Sequence, residues 1–130
     1  MTIGEPPTKA RLTAARHGLL ELHKALLDAE RERYELVHGK VTAGRMLQLA
    51  LQDPQFAWLR SMSELIVRID EFLDTDGASE SDAEKLVAAT RALLSPADQS
   101  TNFAREYEAA LQRDPNIVVR HSRVISALGA

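Results

Sequence analysis

The chain has 130 residues, 16 Lys and Arg against 19 Asp and Glu, and no cysteine. That length suits one domain with a real core, and the missing cysteine excludes disulfides, thiolate metal sites and thiol catalysis and fits a reducing cytoplasm. A net charge of −3 leaves little to neutralise phosphates, so nucleic acid is not an expected partner.

MTIGEPPTKAR has no apolar core and does not read as a secretory signal; residues 1–7 read as a flexible tail before a helical domain over 8–130. No apolar run approaches the roughly 18 residues of a membrane span. Apolar positions recur at three and four, never at two, which predicts an all-α fold. The first helix spans Thr8 to His38. Leu12, Ala15, Leu19, Leu22, Leu26 and Ala29 form one row, widened by Leu20, Leu27 and Tyr34. So broad a stripe faces more than one neighbour. Gly39 follows where a C-cap glycine belongs.

A short helix from Ala43 to Gln52 follows, with Thr42 as its N-cap. In LQDPQFAWLR, Asp53 is a cap residue and Pro54 fits the first helical position. The helix Pro54–Leu73 is then expected to be the centre of the fold, with Trp58, Met62, Leu65, Ile69 and Phe72 in its main row. Arg60, Glu64 and Arg68 are spaced to pair outside. Trp58, Phe56 and Phe72 could line a pocket, but aromatics at helical spacing are more often core. DTDGASESD is a loop, and Ser81 with Glu84 reads as a capping box. The next helix carries Ala83, Leu86, Val87, Thr90, Leu93 and Leu94. Ser95-Pro96 repeats the cap-plus-proline device, although the polar run 98–102 could equally be a turn; both readings stay open. Asp114-Pro115 repeats the device again before a last helix with Ile117, Val118, His121, Val124, Ile125 and Leu128 on one face. The expected fold is a compact bundle of five to six helices around a four-helix core.

Chemistry is harder to find. Carboxylate-bridged metal bundles repeat Glu-x-x-His on facing helices; Glu35 to His38 is the one match. His23 and Glu30, seven residues apart on the first helix, could share a metal with His121. The competing reading is a boundary histidine bonded to Glu30 or water. The acidic loop fails the EF-hand pattern from Asp74, since Ala78, Ser79 and Lys85 stand at positions five, six and twelve. No G-x-S-x-G or glycine-rich cradle is present, so no catalytic residue and no cofactor is predicted. Charge is uneven: seven acids and no base from Asp70 to Glu84, three arginines and one acid from Arg113 to Ala130. These segments either dock on each other or are solvated.

DPQFAWLRSMSELIVRIDE, preceded by HGKVTAGRMLQLALQ and LHKALLDAERERYE, resembles a family of short, uncharacterised all-helical bacterial proteins. The resemblance covers about Leu19 to Phe72. It implies an all-helical protein of the bacterial cytoplasm and carries over no activity or site residue. The expectation is therefore a non-enzymatic interaction or regulatory module, partnered by another protein or by itself as a homodimer. The alternative is a metal- or small-ligand-binding bundle using His23 and Glu30, with Glu35, His38 and His121 as further candidates. Asp53, Pro54 and Trp58 are expected to be structural.

Overall fold

The computed structural model describes residues 7–129, so the tail expected over 1–7 lies, apart from Pro7, outside the described residues. Six α-helices follow one another: α1 (Thr8–His38), α2 (Ala43–Gln52), α3 (Arg60–Asp74), α4 (Glu80–Leu94), α5 (Asn102–Arg113) and α6 (Pro115–Ala127). A 3-10 turn, Pro54–Leu59, leads into α3. No strand occurs among the described residues, and no helix there is long and apolar enough to cross a membrane. The all-α bundle expected from the periodicity is what forms.

The hub is α1, not the helix beginning at Pro54. Leu12, Ala15, Leu19, Leu22 and Leu26 are completely enclosed, and α1 packs against α3, α4, α6 and the 3-10 turn. At 31 residues it is roughly 46 Å long, enough to run past four other elements. Helix α6 runs antiparallel to it, with Arg120 bonded to Glu21 and Arg11 to the Leu128 carbonyl. Helix α3 is also antiparallel, with Asp70 paired to Arg16 and Ser63 bonded to His23. With α4 these make the four-helix core. Helix α5 closes one end against the 3-10 turn, α4 and α6. Among the described residues no ion pair joins the acidic and basic segments: Asp70 and Arg120 each find their counter-charge on α1. Leu20, expected to widen the core row, is partly exposed, and Glu30 rather than Ala29 follows Leu26 in the buried row, which runs on to Tyr34.

Caps explain most boundaries. The Thr42 hydroxyl accepts from the Arg45 N–H, and the Asp53 and Asp114 carboxylates accept from Gln55 and Asn116; each such cap contributes about 1 kcal/mol. Gly39 adopts φ +82°, open to glycine at no steric cost, while its N–H still closes on the Glu35 carbonyl. Two expectations change, and one left open is decided. After Asp53 the chain is 3-10 through Leu59, since three residues per turn stack Phe56 on Leu59 so that both are buried beside Trp58. Ser79, not Ser81, caps α4, accepting from Asp82. Starting there places Glu80 and Asp82 in the first turn, where the helix dipole favours acids, and leaves Ser81 and Glu84 exposed inside the helix. Ser95-Pro96 starts no helix: α4 ends at Leu94 and Thr101 caps α5 by accepting from Ala104. Between them Asp98 accepts from the Ser100 N–H, and Arg105 donates to the Gln99 and Ser100 carbonyls. This local bonding competes with a helix and holds 95–101 as a loop.

Candidate functional site

The five residues singled out for metal chemistry are distributed, not gathered. Glu30 is 3% exposed and is committed to structure. It accepts from the Trp58 indole N–H at 3.4 Å and from Arg33 at 3.1 Å, while Gln55 donates to its backbone carbonyl at 3.5 Å. The buried carboxylate thus ties the 3-10 turn to α1. His23 bonds to the Ser63 hydroxyl through Nε2 at 2.8 Å, not to Glu30. Glu35 accepts from the Val41 N–H at 2.8 Å and pairs with Arg31 at 3.6 Å; the first of these holds its carboxyl below the ordinary carboxylate range. His38 is exposed and stacks on Tyr34 at 4.2 Å. His121 accepts or donates at Nδ1 toward the Tyr107 hydroxyl at 2.7 Å. Among the described residues no three His, Asp or Glu side chains converge to hold a metal ion.

Two features stand out instead. One is an aromatic run through the closed end of the bundle. Trp58 leans on Phe103 at 5.6 Å, Phe103 stacks on Tyr107 at 5.3 Å, and Tyr107 tilts toward His121 at 5.7 Å. It ends in a cleft of about 380 Å³ between the 95–101 loop, α5 and α6, lined by Tyr107, His121, Asp98 and Glu108. The sequence placed His121 on a core face but carried no sign of its bond to Tyr107, because a bond between helices leaves no spacing to read.

The other feature is apolar surface. On α1, Leu26, Glu30, Tyr34 and Val37 follow at four, four and three and so share a face. The first three are buried; Val37 is 78% exposed, and Leu36 beside it 86%. The core stripe of α1 outruns its neighbours. Helix α2 buries Met46 and Leu49 yet turns Leu47 and Leu51 outward at 62% and 63% exposure.

Burial lowers the pKa of both His23 and His121. Their neutral forms are therefore the stable ones in the fold, and the unfolded chain binds protons more readily near pH 6.5. The sign follows: this stability is complete above about pH 6.5 and is lost as pH falls through the folded values. Ser63 and Tyr107 face the two rings, with Glu108 and Asp98 in the same cleft as His121. Thermal melts from pH 7.5 to 5 should show a falling Tm, and His23→Gln with His121→Gln should flatten that fall. An unchanged slope in the double variant would reject the assignment.

No family model, curated protein or solved structure matches the chain.

Proposed function

We propose that the chain is a non-enzymatic interaction module of the bacterial cytoplasm, and that its partner at the α1–α2 corner is a second copy of itself. The observation that carries this is the exposure of Leu36 and Val37 at the end of α1 and of Leu47 and Leu51 on α2. All four are more than half exposed within one helix–loop–helix stretch. Scattered surface aliphatics are ordinary; a concentration of them marks an interface.

Charge argues for self-association. Arg45 is the one charged residue in α2, so its outer face offers little for a charged partner to read. It also carries no run of like charges to repel its own copy. A two-fold interface needs a patch that complements itself, and an uncharged i, i+4 leucine pair does so by interdigitation. A standard interface covers about 800 Å² per partner, more than four side chains supply, which points to a reversible dimer. The cytoplasmic setting rests on the missing cysteine and on the family resemblance of Leu19–Phe72.

Sedimentation velocity at micromolar concentration should show a species near twice the 14.4 kDa chain mass. Leu47→Glu with Leu51→Glu should return it to monomer with the far-UV helical signal intact, because both side chains already face outward. A wild-type chain that stays monomeric across that range would overturn the dimer.

A further inference from the structure

We infer that α2 is a releasable arm, clasped to α1 by Arg31 and Glu35 acting on the Val41 backbone, and that it opens as a unit while the rest of the bundle stays folded. The opening stands by itself; its consequence for self-association rests on the dimer proposed above.

Little apolar burial holds α2. Of its ten residues only Met46 and Leu49 are buried, and among the described residues the 3-10 turn is its one substantial packing partner. Isolated helices shorter than roughly 12–15 residues are marginal in water, so α2 keeps its helix only while it is docked. Segments with few buried apolar contacts open at a small fraction of the global unfolding free energy. The flanks suit such an opening. Residues 39–42 on one side and Asp53 on the other lie outside any helix, so α1 ends before the arm begins and the 3-10 turn starts after it.

Polar contacts add what the core does not supply. The Val41 N–H donates to the Glu35 carboxylate at 2.8 Å, and the Val41 carbonyl accepts from Arg31 at 2.7 Å. Arg31 and Glu35 are themselves an i, i+4 pair at 3.6 Å. One ion pair on α1 thus grips both backbone groups of the residue just before Thr42, the cap of α2. The Glu35 side chain is 17% exposed, so this grip is better shielded from water than the surface pair of Lys24 with Asp28 and contributes more. At the far end the arm has a single exposed bond, from Arg60 to the Leu51 carbonyl at 2.6 Å.

Release of the arm changes the surface. Leu47 and Leu51 belong to α2, whereas Leu36 and Val37 belong to α1. An open arm therefore takes two of the four exposed aliphatics out of the proposed interface. Association in turn favours the docked arm, because a partner that binds only one form stabilises it.

Hydrogen exchange of the full-length chain, read by mass spectrometry at sub-micromolar concentration, tests the clasp. Peptides covering 43–52 should exchange at least about a hundredfold faster than those covering Leu19–Leu26, the behaviour of a separate opening unit. Glu35→Ala should speed 43–52 about tenfold further, the scale of one hydrogen bond to a charged group, and leave Leu19–Leu26 at the wild-type rate. Glu35→Gln keeps an acceptor and should restore most of the protection. Glu32→Ala, at an exposed acid of the same helix, should change neither rate. Arm and core exchanging together, or a Glu35→Ala arm at the wild-type rate, would each overturn the inference. Raising the concentration into the range where sedimentation shows a dimer should slow the arm, and a dimer that forms with no slowing would overturn the link to self-association. A chain that stays monomeric while Glu35→Ala still frees the arm removes the dimer and supports the clasp.

Discussion

Trp58→Ala should destabilise the fold by about 3–5 kcal/mol, the cost of emptying a large aromatic site in a core. Total stability for a domain is about 5–15 kcal/mol, so this single change removes a large share and should lower Tm by roughly 10 °C or more. The ring is 5% exposed and packs on Phe103. Its N–H also satisfies the buried Glu30 carboxylate, so the truncation leaves both a cavity and a poorly partnered acid. Trp58→Phe separates the two effects. It keeps most of the ring volume and loses the indole donor, a loss of about 1–3 kcal/mol for a buried group left unpaired. If Trp58→Ala left the melting temperature unchanged, LQDPQFAWLR would have to be read as a recognition motif and not as a core segment.

Gly18→Leu should cost about 1–3 kcal/mol by overpacking. A Cβ at Gly18 would meet the Val124 Cγ2 at 3.0 Å and the Val124 backbone Cα at 3.6 Å. Val124 is fully buried, and a β-branched side chain in a helix has one strongly preferred rotamer. It cannot swing aside, so α6 must move off α1. Helix propensity alone argues the reverse, since glycine inside a helix costs about 1 kcal/mol relative to alanine. Gly18→Ala therefore decides between them by sign: loss of stability supports the close approach, and a gain refutes it. In a Val124→Ala background the penalty of Gly18→Leu should shrink by at least about 0.5 kcal/mol, the coupling expected of side chains in contact. Chemical denaturation of the four variants measures the cycle.

Much of the fold was legible in the chain. The full extent of α1, the buried rows of α1 and α3, and the caps at Thr42, Asp53 and Asp114 all follow from spacing and from side chains that bond a few residues away. The misplaced starts share a cause. Ser79 and Ser81 offer the same chemistry two residues apart, and Ser95-Pro96 resembles a true start until Asp98 closes a local turn instead. The candidate site was hardly legible. His23 and His121 could be seen as titratable groups on apolar flanks, but their partners Ser63 and Tyr107 lie 40 and 14 residues away.

The sequence by itself determined where most of the helices lie, which faces are apolar and that no thiol chemistry occurs, because these depend on composition and on neighbours within about one helical turn. The tertiary structure alone decided that α1 is the hub and that Glu30 is an internal anchor for Trp58. It also decided that Gly18 of α1 sits against Val124 of α6, and that the stripe ending at Val37 remains uncovered. Each of these depends on which helices come to lie side by side, and that choice is made by the summed fit of all the apolar faces at once, not by any stretch read alone.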